Sequence, residues 1–449
     1  MTTVNGKIQR LLDDAKAVYV SLGEADFRAA GEGFDLPDGG RTVSALAGKS
    51  PGGAFDPREL AALPARELGY QPGWVVERFR RYNLDWDITG QTLKSLDPQA
   101  DRYPWIVIIN GGAANFYEFF VDLKNRPGWA QYLAQKLNVM IVTIPGNFRY
   151  GGWDEAISDP KRQPAYLLDR ELSADEYDIR NAIFTNRLIM QGLKALLMRH
   201  TRGELLLVGH STSGELAMMA YDDPDLSSRL KERFLGWGSG GAARLELLRT
   251  VRGRQVAPRA GASPPGGKAP IFELERRDPP SYARGYSGFL NPLYEPGMSH
   301  LQIAEAWLAA EGRRRANFKQ QLQNIEHGPD LAQKGWVEDQ IEALLNRTGN
   351  PLRVPFEDVA SDLFATHYTR MDGFKRMVWT TAHFDRNHWN PEDPMRAVEV
   401  FIANEYRAKN PGAEIRLINF DLPMTHYGHL ECPRELAGAE YAVVQWLVR

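Results

Sequence analysis

A serine, an aspartate and a histidine that could together perform acyl transfer stand in the chain in that order. Ser211, Asp385 and His429 each come after a run of apolar residues that predicts a buried β-strand. A serine hydroxyl is a weak nucleophile, and it needs a neutral imidazole to accept its proton and a carboxylate to orient that imidazole. The three residues therefore predict the nucleophile, the general base and the orienting acid of one site.

Ser211 lies in a segment whose pattern indicates a sharp turn from a strand into a helix. Apolar residues 205–208 predict the strand, and residues 215–221 predict the helix. Small residues on both sides of the serine permit a strained turn with closely spaced backbones. The usual pattern of such a nucleophile elbow is Gly-x-Ser-x-Gly. Here Ser213 holds the fifth position, and Gly214 follows it.

The base and the acid each have rivals in the sequence. His429 is preferred as the base because it follows a glycine in Gly428-His429, but His426 lies in the same loop. Asp385 is preferred as the acid because it comes directly after a predicted strand. Asp421 and Glu431 are weaker candidates, since one is too close to the final strand and the other follows the histidine.

A glycine-containing loop, residues 110–114, directly follows the predicted strand Trp105–Ile109. Such a loop can present backbone N–H groups to a developing oxyanion. We predict that the N–H groups of Gly112 and Thr212 form the oxyanion hole, with Ala113 as an alternative to Gly112. The same pattern is also compatible with a simple tight turn.

Strand and helix patterns alternate along most of the chain, which predicts a doubly wound, mostly parallel sheet. Strands are predicted at residues 105–109, 139–144, 205–208, 233–237, 374–382 and 414–420. Helices are predicted at 129–137, 177–198, 394–408 and 435–448. In the first hundred residues, Ile8–Tyr19 predicts an amphipathic helix and Trp74–Ile88 predicts an antiparallel strand.

The alternation breaks at about residue 242. Residues 254–270 are rich in Gly and Pro, which predicts a linker, and later segments predict helices around 301–311, 316–325 and 336–345. We therefore divide the chain into a core, 1–241 and 374–449, and a mainly helical insertion, 242–373.

The order serine, acid, histidine and the elbow resemble the α/β-hydrolase superfamily over roughly residues 100–241 and 374–449. The chain departs from the family pattern at Asn110, where a histidine is usual, and at Ser213. The resemblance implies an α/β-hydrolase fold whose insertion acts as a cap, and it leaves the subfamily and the substrate undefined.

Composition excludes several other classes of protein. The formal net charge is -3, with 54 basic and 57 acidic residues, and no basic stripe predicts nucleic-acid binding. The single cysteine, Cys432, excludes an intramolecular disulfide. The N-terminus lacks the pattern of a signal peptide and no apolar run has membrane-spanning length, so we expect a cytoplasmic protein without a membrane partner.

We expect a small-molecule substrate, no cofactor and no metal, and the sequence leaves a homodimer open. The spacing of His383, Asp385 and His388 is compatible with metal binding, but the sequence offers no evident third protein ligand.

These residues predict a serine hydrolase that cleaves an ester, lactone, thioester or amide through an acyl-enzyme. Aromatic residues near the strand ends favour a bulky, partly apolar substrate. An acyltransferase or a C–C bond hydrolase could use the same triad, and a non-catalytic ligand-binding protein could use the same scaffold.

Overall fold

The computed structural model describes residues 4–14, 19–36, 61–109, 117–120, 126–143, 173–183, 185–210, 214–237, 329–362, 374–384, 411–425 and 428–449. The strands are β1 Tyr19–Gly23, β2 Tyr70–Arg81, β3 Leu84–Ser95, β4 Trp105–Ile109, β5 Val139–Thr143, β6 Leu205–His210, β7 Arg233–Trp237, β8 Arg376–Phe384 and β9 Glu414–Thr425.

The helices before β7 are α1 Val4–Asp13, α2 Glu24–Ala30, α3 Ala65–Leu68, α4 Tyr117–Phe120, α5 Trp129–Leu133, α6 Ala174–Ala182, α7 Asn186–His200, α8 Gly214–Met219 and α9 Pro224–Leu230. After β7 come α10 Pro329–Thr348, α11 Phe356–Asp362, α12 Gly428–Glu431 and α13 Pro433–Leu447. Short 3₁₀ turns lie at Pro98–Arg102 and Ala220–Asp222.

The strands of the described residues form one nine-stranded sheet with the order β1-β9-β8-β7-β6-β4-β5-β3-β2. The pairs β2·β3 and β3·β5 are antiparallel, whereas every other neighbouring pair is parallel. The predicted doubly wound, mostly parallel sheet is therefore confirmed. Because β4, β6, β7, β8 and β9 run in the same direction, their carboxyl ends lie along one edge of the sheet.

Helices cover both faces of this sheet because its central strands are apolar at most positions. Successive side chains of a strand point to opposite faces. On one face, Ile106 and Val208 pack with α1, α2, α5 and α13. On the other face, Val107 and Leu207 pack with α6, α7, α8 and α9. Each face thus has its own hydrophobic cluster, and both clusters run up to the carboxyl edge of the strands.

The first hundred residues contribute three strands, where the sequence predicts one. The prediction of a single strand over Trp74–Ile88 is wrong, because β2 and β3 form an antiparallel hairpin that turns at Tyr82 and Asn83. Both turn residues have positive φ, 51° and 61°, a conformation that usually selects Asn-Gly. The predicted helix over 8–19 ends early, and Tyr19 instead begins β1 beside β9.

The end of the predicted insertion packs against the core. Ile341 and Leu345 of α10 and Val359 of α11 belong to the same hydrophobic cluster as β2, β4 and α7. The carboxylate of Asp362, at the end of α11, accepts hydrogen bonds from Arg81 and from the hydroxyl of Tyr82. The residues 242–328 and 363–373 lie outside the described residues, so the boundaries at 242 and 373 stay a prediction.

Helices α2 and α13 approach each other most closely at Gly438. A Cβ atom at this position would lie 1.8 Å from the carbonyl oxygen of Ala30, which is a backbone atom. We expect Gly438→Ala to destabilise the protein by about 3 kcal/mol or more, the upper range for overpacking, because backbone cannot move aside as a side chain can. Urea unfolding of the variant and the parent measures this difference.

Gly23→Ala is the control for Gly438→Ala, because a Cβ at Gly23 meets no atom within 4 Å and its φ of -68° suits alanine. Equal stability of the two variants would contradict the close approach of α2 and α13.

Among the described helices, none is both long enough and apolar enough to cross a membrane.

Candidate active site

The predicted site residues follow strands whose carboxyl ends share one edge of the sheet. β4 ends at Ile109, β6 ends at His210 and β8 ends at Phe384. The chain continues from these positions into the predicted oxyanion loop, the predicted nucleophile and the predicted acid, respectively. Gly112, Ser211, Thr212 and Asp385, with the alternatives Ala113 and His426, lie outside the described residues, so their roles stay predictions.

His429 lies in α12, the short helix between β9 and α13, and its side chain is fully buried. Three aromatic rings surround its imidazole. The ring centroids of Phe119 and His429 are 4.9 Å apart, those of Trp129 and His429 are 6.2 Å apart, and those of His210 and His429 are 4.7 Å apart. The imidazole is therefore enclosed by side chains from α4, α5 and β6.

The contact between His210 and His429 brings the predicted base to the end of β6. His210 is the last residue of that strand and the residue that precedes Ser211. Both imidazoles are buried, and their planes are inclined by 75°. The sequence gives no sign of this contact, since the two histidines lie 219 positions apart in the chain.

Burial determines the charge of His429. Removal from water disfavours the imidazolium and lowers the pKa of His429 well below its ordinary value of 6.5. The side chain is therefore neutral at neutral pH, which is the form that can accept a proton from an attacking hydroxyl. Directly after α12, the thiol of Cys432 donates to the carbonyl oxygen of Gly428 at 3.3 Å, which holds the turn that carries His429.

A buried hydrogen-bond chain holds α4, which supplies Phe119. The hydroxyl of Tyr70 donates to Oε1 of Gln131 at 2.8 Å, and Nε2 of Gln131 donates to the carbonyl oxygen of Phe120 at 2.5 Å. Burial raises the pKa of Tyr70 well above its ordinary value, so its hydroxyl remains a donor. Phe119 also contacts His210, with ring centroids 5.4 Å apart. This hydrogen-bond chain, which begins at Tyr70 of β2, therefore fixes the ring of Phe119, and that ring packs against both His210 and His429.

The sequence did not identify Tyr70 and Gln131, because neither residue belongs to a motif. Among the aromatic residues near the strand ends, Phe119 and Phe120 are fully buried in the core, and the side chains of Phe116, Tyr117, Phe148 and Trp237 lie outside the described residues. Among the described residues, no group of three or more His, Cys, Asp or Glu side chains could hold a metal ion. Asp385 and His388, two of the three residues whose spacing is compatible with metal binding, lie outside the described residues.

The strand order and the helices on both faces of the sheet give this chain the α/β-hydrolase fold. No protein-family model matches the chain, and no curated protein matches it.

Several solved structures are similar to this chain at low sequence identity. One is a membrane phospholipase A described as a bacterial virulence factor, with 14% identity, a TM-score of 0.35 and coverage of 88% of this chain and 92% of that chain. Another is a thioesterase domain from the curacin biosynthetic pathway, with 11% identity, a TM-score of 0.35 and coverage of 83% and 99%. A proline iminopeptidase-related protein from Thermus thermophilus has 12% identity, a TM-score of 0.35 and coverage of 84% and 99%. The fold assignment itself comes from the strand order within this chain.

Proposed function

We propose that this protein is a serine hydrolase that cleaves an ester, lactone, thioester or amide bond through an acyl-enzyme. One observation supports this proposal most directly. The buried imidazole of His429 contacts His210, the residue that precedes Ser211, and burial favours the neutral form of that imidazole. A neutral imidazole beside a serine is the arrangement that activates a hydroxyl nucleophile.

In the proposed mechanism, the hydroxyl oxygen of Ser211 attacks the carbonyl carbon of the substrate and His429 takes the hydroxyl proton. His429 then returns the proton to the leaving group, and water cleaves the acyl-enzyme in a second cycle of the same steps. Asp385 orients His429 and stabilises the imidazolium that forms. The backbone N–H groups of Thr212 and Gly112, or of Ala113 in place of Gly112, stabilise the oxyanion.

We propose a bulky, partly apolar small molecule as the substrate and the cytoplasm as the compartment. The insertion at 242–373 would act as a cap that shapes the pocket and excludes bulk water from the bound substrate. Neither a cofactor nor a metal has a role in this mechanism.

Labelling with a fluorophosphonate tests the proposed nucleophile. We expect a single adduct on the intact protein, and peptide mapping should assign it to Ser211. The Ser211→Ala variant should give no adduct, because the oxygen that attacks phosphorus is gone. Ser213→Ala is the matched control, since it removes a hydroxyl two residues away in the same turn. An adduct that persists in Ser211→Ala, or no adduct on the parent protein, would contradict the proposed function.

A further inference from the structure

Glu440 is a carboxyl group buried between helix α13 and the sheet, and the proposed mechanism does not use it. Its side chain is 1% exposed. Oε1 of Glu440 lies 2.7 Å from the hydroxyl oxygen of Thr380 in β8, and that hydroxyl lies 3.1 Å from the carbonyl oxygen of Gly236 in β7. Three oxygen atoms from α13, β8 and β7 therefore form a continuous polar chain within an apolar layer.

The number of hydrogen atoms in this chain depends on the protonation state of Glu440. A threonine hydroxyl carries one hydrogen, so it can donate to Glu440 or to Gly236 but not fully to both. If Glu440 is a neutral acid, it donates to Thr380 and Thr380 donates to Gly236, which makes both contacts hydrogen bonds. If Glu440 is ionised, only one of the two contacts is a hydrogen bond and the carboxylate is buried without a positive partner, which is costly.

The second oxygen of Glu440 supports the neutral form. Within the part of the chain that the structure describes, Oε2 has no hydrogen-bond partner, which is far less costly for a carbonyl oxygen than for a carboxylate oxygen. Burial, opposed in part by the hydrogen bond to Thr380, raises the pKa of Glu440 from its ordinary value of 4.5 to about 8.

Among the described residues, most charged groups on the elements around Glu440 are engaged with other groups. Nε of Arg376, in β8, donates to Glu414 at 2.6 Å, and Nε of Arg416, in β9, donates to the carbonyl oxygen of Leu12 at 2.7 Å. The remaining ion pairs of these elements are Arg233–Glu204 from β7, Lys7–Asp26 and Arg449–Asp13 from α1, Arg28–Glu24 within α2, and Arg434–Asp35 from α13. His429 of α12 is neutral, as described above, and no hydrogen bond joins any of these described groups to Glu440.

We propose that Glu440 is held as a neutral acid and that its hydrogen bond to Thr380 makes it a positioning residue for the candidate active site. This inference rests on the proposed function. Strand β8, which contains Thr380, leads into Asp385, and helix α13, which contains Glu440, follows directly after His429. The bond therefore joins the segment before the predicted acid to the segment after the predicted base. Ionisation of Glu440 at alkaline pH leaves one hydrogen atom for the two contacts, so Thr380 donates to the carboxylate and its hydrogen bond to Gly236 of β7 is lost. It also places a charge without a positive partner between these two segments.

Urea unfolding between pH 6 and pH 9 tests the neutral acid without any assay of activity. From pH 4.5 to about 8 the folded protein keeps a proton on Glu440 that the unfolded chain has released. Up to about pH 8, the folding equilibrium constant of the parent should therefore fall by about tenfold per pH unit relative to that of Glu440→Gln, and the ratio should level off at higher pH. Glutamine keeps the shape, donates an N–H to Thr380 and cannot ionise. Glu435→Gln, a partly exposed position on the same helix, should behave like the parent.

The rate of fluorophosphonate labelling at Ser211 across the same pH range tests the positioning role. The parent should lose labelling rate above about pH 8, whereas Glu440→Gln should label like the parent at pH 7 and keep that rate at pH 9. Parallel pH profiles of stability for the parent and Glu440→Gln would overturn the neutral acid. An alkaline loss of labelling that persists in Glu440→Gln would overturn the positioning role. If the parent is not labelled at any pH, the proposed function fails, and the unfolding data still decide the protonation state of Glu440.

Discussion

Replacement of His429 by glutamine is expected to lower the turnover number for an activated ester by on the order of 10⁶-fold, the scale of loss when a serine nucleophile loses its base. Glutamine has a similar reach but cannot accept the proton of the serine hydroxyl at neutral pH. Because His429 is fully buried among Phe119, Trp129 and His210, no water molecule or exposed side chain can easily replace it. Steady-state hydrolysis and labelling of Ser211 measure the loss.

His426→Gln is the matched control, because His426 is the rival base three residues earlier in the chain. We expect its turnover number to stay within about tenfold of the parent value, whereas a base would lose several orders of magnitude. The opposite pattern, with loss in His426→Gln and retention in His429→Gln, would show that the assignment of the base is wrong. Circular dichroism of both variants separates loss of chemistry from loss of fold.

Burial of the proposed base, His429, should also determine how far the pH can fall before the parent protein loses activity. The proposed base works only when it is neutral, and burial lowers the pKa of His429 well below 6.5. Activity should therefore persist as pH falls through 6.5 and decline only at lower pH. The same group affects stability, because the unfolded chain takes up a proton near pH 6.5 while the folded protein does not. Stability from this source is present above pH 6.5 and is lost as pH falls toward the folded-state pKa.

Replacement of Asp362 by alanine is expected to destabilise the protein by about 3 kcal/mol, as when one partner of a buried ion pair is removed. The side chain of Asp362 is 7% exposed and accepts from Nε of Arg81 at 2.7 Å. It also accepts from the hydroxyl of Tyr82, which contacts Oγ1 of Thr185 at 2.7 Å, and Thr185 caps α7. Alanine would leave a partly buried guanidinium and a buried phenol without this acceptor. Urea unfolding measures the loss.

Asp358→Ala is the control for Asp362→Ala, since Asp358 is an exposed carboxylate on the same helix. Its removal should cost less than about 1 kcal/mol, the scale of an exposed charge in a first helical turn. The loss of stability in Asp362→Asn should fall between the losses in Asp358→Ala and Asp362→Ala, because an amide oxygen still accepts a hydrogen bond but carries no charge. Equal stability of Asp358→Ala and Asp362→Ala would show that the Arg81–Asp362 pair contributes nothing.

The central sheet could be predicted from the sequence, because β4, β5 and β6 are short, mostly apolar and bounded by clear turn signals. The strands toward the edges of the sheet, β1 on one side and β2 and β3 on the other, could not be predicted in this way. The turn at Tyr82 and Asn83 has the backbone of an Asn-Gly turn without its glycine, so the hairpin gave no local signal. β1 exists because Tyr19–Gly23 pairs with residues of β9, and a pairing over that separation leaves no local pattern.

The candidate site divides in the same way. His429 could be selected from its place after the last strand, because the order of serine, acid and histidine carries chemical meaning. The residues that surround His429 could not be predicted, because the rings of Phe119 and His210 contact it only through the packing of α4 and β6. Gln131 and Glu440 were missed for a related reason. A polar residue inside a helix is usually exposed, and its burial is determined by partners that no local pattern specifies.

The pairing of β1 with β9 affects the order in which this protein can be completed during synthesis. Arg416 of β9 bonds to the carbonyl oxygen of Leu12, 404 positions earlier, and Gln9 bonds to the carbonyl oxygen of Ala442. The amino-terminal segment therefore leaves the ribosome long before its partners have been translated. Until they emerge, the apolar side chains of α1 and β1 have no permanent surface to cover them. Translation of β9 and α13 thus completes the cover of α1 and β1, and release of the nascent chain before that point would leave α1 and β1 open to chaperones and proteases.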